Sequence, residues 1–355
     1  MSSTRDHVVT DGLAPARPAW LDRASKLFAT SGMIPALGVL ILAGWALSPV
    51  FLTSTNISNV LRLGAVLGLM AIGQTLIILS GGGGIDLSVA SVAAASAIVG
   101  AQYQGSGLGA VIVVSIGAGA FFGLINGLGV TTAGLQPFVV TLATLTIARG
   151  VGFELTNAQP VYLNTPGLST LARGNVLHVP VPIVIFGVAV IVGQVLLSRS
   201  ILGRNLYAVG GNEDAAYGSG INVRAYRIGV YVLAGILAGL AGVLGMAQLN
   251  TADPNFANGY ELSAIAAVVV GGALLAGGRG SIVGTLVGVV IMSFLSNLLN
   301  LRNVNPWTNL MVTGLIVILV VALNRQNAGG KRVWLGLPLY ASLLLGAILF
   351  YVVIK

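Results

Sequence analysis

From residue 33 onward the chain is a series of long apolar runs separated by short polar breaks, at 33–52, 60–80, 87–103, 108–131, 137–156, 180–198, 227–249, 259–277, 281–301, 307–324 and 334–354. A helix rises about 1.5 Å per residue and the hydrocarbon core of a bilayer is about 30 Å thick, so most runs have the length of a membrane crossing. The pattern predicts an all-α integral membrane protein, a polytopic helical bundle of about 10–11 transmembrane helices. Three regions follow. Residues 1–32 are polar, carry Arg5, Arg17, Arg23 and Lys26, and read as a cytoplasmic tail ahead of a signal anchor. The run that follows is too long for the apolar region of a cleaved signal peptide. Residues 33–324 form the transmembrane domain. Residues 325–355 read as a cytoplasmic linker, RQNAGGKRV, and one added C-terminal span; an interfacial helix would need a polar face that this segment lacks.

Composition agrees with this class: 56% of the 355 residues are hydrophobic, 7% are charged, and the mean hydropathy is +0.95. Charges inside a bilayer are costly, so those present mark loops or function. The net charge of +8 is therefore read as membrane orientation rather than nucleic-acid binding. With the amino terminus in the cytoplasm, Arg5, Arg17, Arg23, Lys26, Arg199, Arg204, Arg224, Arg227, Arg279, Arg325, Lys331 and Arg332 fall inside. Arg62, Arg149, Arg173, Arg302 and Lys355 fall elsewhere. This asymmetry follows the positive-inside rule and puts segment 199–226 inside and 157–178 outside. The chain has no cysteine, which excludes disulfides, thiol catalysis and cysteine metal sites. His7 and His178 lie far apart in polar or connecting segments and read as ordinary solvated side chains.

The longest internal polar island, 198–227, carries four arginines together with Glu213 and Asp214. A plain re-entry into the bilayer needs far fewer polar residues, so the island reads as a docking surface. A weak repeat surrounds it. IDLSVASVAAASAIVGA from Ile85 is similar to YELSAIAAVVVGGALLAG from Tyr260, with Asp86 and Glu261 175 residues apart. Asn126 and Asn297 stand at comparable later points, 171 residues apart. Five helices separate the copies, and an odd number turns the second upside down, giving a 5+5 inverted repeat of the kind common in transporters. Glycines recur every fourth residue at Gly119, Gly123 and Gly127, at Gly235 and Gly239, and at Gly280, Gly284 and Gly288, a spacing suited to close helix packing. No phosphate-cradling G-x-x-x-x-G-K-[ST] sequence occurs.

GGGGIDLS at 81–88 is of another kind, because four consecutive glycines do not favour a helix. Two readings stand open. The segment breaks a helix so that free peptide groups and Asp86 face a translocation path, or it is a tight cytoplasmic turn in which Asp86 caps the next helix. Glu261 carries the same two readings. Gln74, Ser88, Ser91, Asn126, Thr141, Thr144 and Asn297, with Asp86 and Glu261, are the candidate polar groups along such a path; many can instead bond across helices.

Taken together, GQTLIILSGGGGIDLSVAS (73–91), GLINGLGVTTAGLQPFVVTLATLTIARG (123–150), LGRNLYAVGGNEDAAYGSGINV (202–223) and GYELSAIAAVVVGGALLAGGRGSIVGTLVG (259–288) resemble the permease subunits of bacterial ABC importers for monosaccharides, of the ribose, xylose and galactose type. The resemblance runs from about Val39 to Asn324. It implies a multi-pass protein of the bacterial inner membrane with no ATPase site of its own. A second permease copy or a paralogue, a cytoplasmic ATPase that holds ATP and Mg, and a periplasmic sugar-binding protein would complete the importer. The family's coupling element falls on Gly210, Gly211, Asn212, Glu213, Asp214, Ala215, Ala216, Gly218, Gly220 and Ile221. The expected form is a short helix with Asn212 as N-cap, Glu213 and Asp214 in its first turn, and Ala215 and Ala216 as a small surface for the ATPase. Closing of the ATPase would push this element and drive alternating access.

The chain departs from the family pattern in its longer glycine run before Ile85 and in the segment after residue 324. The competing class is a secondary transporter or channel working alone. Buried ionisable relays would mark it, and here Asp86 and Glu261 alone come close. Within the importers, a nucleoside, autoinducer-2 or a branched-chain amino acid is the alternative cargo, and no cluster suited to a zwitterion is visible.

Overall fold

The computed structural model describes residues 33–328. The tail 1–32 and the expected last span 334–354 lie outside the described residues. Thirteen helices are described: α1 (Met33–Leu47), α2 (Ser54–Leu79), α3 (Val89–Ala101), α4 (Leu108–Thr131), α5 (Pro137–Thr156), α6 (Leu168–Arg173), α7 (Val181–Arg199), α8 (Ile201–Gly211), α9 (Glu213–Gly218), α10 (Val223–Leu249), α11 (Tyr260–Val270), α12 (Ile282–Leu301) and α13 (Pro306–Ala328). Among the described residues α2, α4, α5, α7, α10 and α12 are long and apolar enough to cross a membrane. The protein is a polytopic all-α membrane protein. Its few strands are two-residue pairings in loops, β1 (Val161–Tyr162) antiparallel to β4 (Thr251–Ala252), and β2 (Asn175–Val176) antiparallel to β3 (Val179–Pro180).

Besides 33–52, helical over Met33–Leu47, two expected spans are shorter than their apolar runs. The run 87–103 is helical over Val89–Ala101, and 259–277 over Tyr260–Val270. At 1.5 Å per residue these helices reach about 20 and 16 Å, well short of a bilayer core. The reason in the second case is GGALLAGGRGS, where Gly272, Gly277 and Gly278 take φ of +84°, +95° and +68° and the chain turns on itself through a Leu274 N–H to Arg279 carbonyl bond of 2.9 Å. Gly280 belongs to this turn, so the third glycine stripe enters α12 only at Gly284 and Gly288. Segment 199–226, read as a loop, contains the helices α8 and α9. Ser200 caps the first by accepting from Gly203 N–H at 3.0 Å, and Asn212 caps the second by accepting from Ala215 N–H at 3.0 Å.

The centre of the bundle is α2, with 83% of its most apolar window buried against 22% for the peripheral α7. It packs on α10, α12, α11 and α7. The packing repeats between halves: α3 lies on α4 and α5 as α11 lies on α12 and α13, and α4 lies on α10 as α12 lies on α2. Equivalent helices run in opposite directions. Gln248 near the end of α10 donates to the carbonyl of Arg62 near the start of α2 (2.8 Å), while the start of α10 brings Arg227 against Gly82 just after α2 ends. The first half is sealed by glycines. A Cβ at Gly123 or Gly235 would overlap the facing backbone of Tyr231 or Gly119, and one at Gly239 would lie 2.6 Å from the Ser115 carbonyl.

Basic side chains divide between the two ends of the bundle. Arg199, Arg204, Arg224 and Arg227 lie on or beside α8–α10, and the turn carrying Arg279 joins them, because Tyr207 on α8 donates to the Gly280 carbonyl at 2.8 Å. The opposite end holds Arg149, bonded to the carbonyls of Pro254 and Phe256, and Arg302, bonded to that of Leu47 at 3.5 Å.

Candidate functional site: two polar clusters and a docking helix

The first cluster is built on the broken segment. Gly81, Gly82 and Gly83 have φ of +70°, +64° and +69°, a left-handed conformation that costs an L-residue about 1–2 kcal/mol each. A Cβ at Gly84 would lie 2.7 Å from the Ile77 carbonyl, so the fourth glycine is required by space. The long glycine run therefore ends α2 and turns the chain back under it. Asp86, only 4% exposed, then sits inside the bundle. Its Oδ1 accepts from Ser88 N–H (2.7 Å) and from Ser88 Oγ (2.6 Å). Asn126 on α4 donates to the same Ser88 Oγ at 2.9 Å. The Gln74 amide lies against the Asp86 peptide, accepting from its N–H at 3.3 Å; with the amide turned over, it also donates to the Asp86 carbonyl. Thr141 donates to the Pro137 carbonyl at 2.9 Å and reaches that of Ile85 at 3.3 Å.

Asp86 accepts from the Ser88 backbone N–H just ahead of α3 without holding that helix's N-cap position. Ser88 holds the N-cap position of α3 and makes no side-chain capping bond. Ser91 and Thr144 are buried on α3 and α5, and Ser91 Oγ has no hydrogen-bond partner among the described residues. The sequence reading missed Tyr231, a fully buried tyrosine on α10 whose hydroxyl is also without a partner.

The second cluster holds the repeat counterparts, and it is open. Asn297 and Asn56 exchange two hydrogen bonds of 2.9 Å, and Asn309 donates to Ser296 Oγ at 2.7 Å. Beside them a cavity of about 460 Å³ runs between α2, α11, α12 and α13. Glu261 stands in the first turn of α11, where Gly259 holds the N-cap position; its Oε2 is buried without a hydrogen-bond partner among the described residues, and Arg149 is the opposing charge. Thus Gln74, Asp86, Ser88, Asn126 and Thr141 come together, whereas Asn297 and Glu261 belong to the other half. Asn56 with Asn59, and Asn297 with Asn300, each lie three residues apart on one helix face, a spacing legible in the sequence but not singled out there.

The docking helix α9 has Glu213 and Asp214 in its first turn, where acidic groups suit the helix dipole. Glu213 is engaged within the chain: Arg227 donates to both of its carboxylate oxygens, at 2.8 and 2.6 Å. Ala216, expected on the docking surface, is instead buried against Val209 and Val223. Gly210 is turned inward as well, because a Cβ there would overlap the Leu79 carbonyl and lie 2.6 Å from Gly278 N. Gly211, Asn212, Glu213, Asp214, Ala215, Gly218 and Gly220 remain exposed, and Ile221 packs on the Ala216 cluster. Tyr217, 76% exposed, is the large side chain on this face and was not picked out by sequence.

Burial holds the Tyr207 hydroxyl above the ordinary phenol range, and this hydroxyl donates to the Gly280 carbonyl. The backbone junction of Leu79–Gly81, Gly210–Gly211 and Gly277–Gly280 thus ties α8–α9 to the broken segments of both halves. Gly278 N–H donates to the Leu79 carbonyl at 3.1 Å at its centre.

A bundle with inverted halves, broken helices and a polar helical pair at one end defines the membrane component of a transport system. The chain belongs to the permease family described as the branched-chain amino acid transport system / permease component, whose family model matches residues 56–321. It is 43% identical over 300 residues to the ribose import permease protein RbsC of Bacillus subtilis (strain 168), covering 83% of this chain and 92% of that one. It is 40% identical over 315 residues to the ribose import permease protein RbsC of Escherichia coli (strain K12), covering 87% and 95%. With the D-allose transport system permease protein AlsC of the same strain it shares 35% identity over 293 residues, covering 81% and 89%. No solved structure matches.

Proposed function

We propose that this chain is the membrane-spanning subunit of an ATP-driven importer that moves a monosaccharide, delivered by a periplasmic binding protein, across the bacterial inner membrane. The observation that carries the reading is the attachment of α8–α9. A short, capped, exposed helix is joined to α10 by the Arg227–Glu213 pair and to both broken segments by the glycine junction. Force applied to α9 therefore reaches both halves through backbone contacts that have no side chains to absorb it. A separate cytoplasmic ATPase supplies that force and holds ATP and Mg, and this chain contributes no ATPase site. Two permease subunits, identical or paralogous, enclose the path, with lipid on the apolar outer faces of α4, α5 and α7. The α8–α9 end and the amino terminus face the cytoplasm, in keeping with the division of arginines between the ends. The permease proper is 33–324, with 199–226 as its coupling segment. Names of relatives support the cargo class, because the ribose and allose permeases align over most of their length.

The test is association of the purified chain with its co-expressed ATPase, wild type against an Asp214→Arg, Tyr217→Ala double variant. These two side chains face outward, so folding is preserved while docking is lost. Loss of binding with an unchanged elution profile supports the reading. A wild-type chain that never binds a competent ATPase and still moves solute alone is a self-contained carrier.

A further inference from the structure

The two halves carry the same polar constellation in two states. Ser88 and Asn126 in the first half correspond to Ser263 and Asn297 in the second, by the same 175- and 171-residue offsets that relate the repeats. In the first half these groups are closed on one another, with Asn126 bonded to Ser88 and Ser88 to Asp86. In the second half Ser263 and Asn297 line the cavity of about 460 Å³, a volume in the range of small-molecule sites. The amides of Asn59, Asn258 and Asn300 also line it, and none of the three has a side-chain hydrogen-bond partner among the described residues. The cavity lies at the end of the bundle remote from α8–α9, where the 250–259 segment and the α12–α13 connection meet.

Its lining contains no Asp, Glu, Lys, Arg or His. No charged side chain there would pair with the ammonium and carboxylate of a zwitterionic amino acid. Amides that both donate and accept suit hydroxyl groups, which do the same. Trp307 and Tyr260 add aromatic surface to the cavity wall. We propose that this asparagine-lined cavity is the entry binding site for a neutral polyhydroxylated solute of monosaccharide size, and that the closed Ser88–Asn126 cluster is its inverted counterpart on the exit side. The proposal rests on the importer reading above and assigns the place in the chain where the solute is received.

The complex of the full chain with its ATPase and binding protein, in proteoliposomes, tests it with labelled D-ribose as the probe and L-leucine as the contrast. Asn59→Leu and Asn300→Leu each remove one free amide, and uptake of D-ribose falls about tenfold for each, the equivalent of one hydrogen bond near 1.4 kcal/mol. ATP hydrolysis stimulated by the loaded binding protein persists, and Asn300→Gln restores part of the uptake. The double variant Asn59→Ser, Asn300→Ser, which adds no bulk, shows the same loss should leucine impair folding. Unchanged uptake in these variants overturns the site while leaving the importer reading intact. Uptake of L-leucine but not D-ribose overturns the neutral-solute assignment. Absence of any ATP-dependent uptake by the wild-type complex overturns the importer reading, and the site falls with it.

Discussion

The halves of this bundle share a packing plan but not a state. In the first half α4 and α10 meet through glycines, and Asn126 on α4 bonds to Ser88, although Asn126 Oδ1 and the Tyr231 hydroxyl have no partner among the described residues. In the second half the equivalent pair, α12 and α2, meets through Gly64 and Ser293, and a cavity opens beside them. One sequence pattern can thus be closed at one end of the molecule and open at the other. In an inverted repeat this asymmetry is a way to encode two accessibility states, because exchanging the conformations of the halves exchanges the side that is open.

The largest expected effect comes from breaking the closed half. Gly123→Leu places a branched side chain where even a Cβ overlaps Tyr231 backbone. Overpacking of a tight core costs about 1–3 kcal/mol and more when backbone must move, so the variant is lost from the monodisperse fraction on size exclusion. Gly38→Leu, where a Cβ meets nothing within 4 Å, is the tolerated control.

Next in size is the junction that serves both halves. Gly210→Val separates Leu79 from Gly278, so sugar uptake falls by more than about tenfold, the equivalent of 1.4 kcal/mol, while the ATPase still binds and hydrolyses ATP. Retained uptake would show that the halves are not driven through this point. Asn126→Leu is milder. It removes the donor to Ser88 and destabilises by about 1–3 kcal/mol, read as a lower thermal midpoint in detergent. Glu213→Gln is the smallest. The pair with Arg227 is partly solvated, at 15% and 48% side-chain exposure, so at most about 1 kcal/mol is lost and the ATPase remains bound.

Much of this was legible along the chain. Apolar runs located α2, α4, α5, α7, α10 and α12, because a crossing helix needs a continuous stretch and leaves no other backbone arrangement. The repeat was readable from Asp86 with Glu261 and from Asn126 with Asn297. The Asn212 cap followed from a short polar side chain ahead of two acidic residues. Other features depend on where distant segments meet. Nothing local to Gly210 says that it faces Leu79 and Gly278, or that Glu213 is bound to Arg227. Ala216 looked like surface because it lies in a polar island, yet α9 turns it onto Val209 and Val223. The cavity was missed for a related reason: asparagines spread over α2, the 250–259 segment, α12 and α13 gain meaning only when these segments converge. The shortness of α11 was hidden by GGALLAGGRGS, whose apolar residues read as helix while its left-handed glycines end one.

The two polar clusters are expected to exchange accessibility during transport. The natural chain has no cysteine, so Ser88→Cys and Ser263→Cys can each be labelled cleanly with a soluble maleimide in the assembled transporter, using variants that retain uptake. At rest, Ser263→Cys reacts and Ser88→Cys is protected; with ATP, binding protein and sugar present, labelling of the first falls as that of the second rises. A Ser88→Cys thiol that stays protected while uptake proceeds would show that the two clusters do not exchange accessibility.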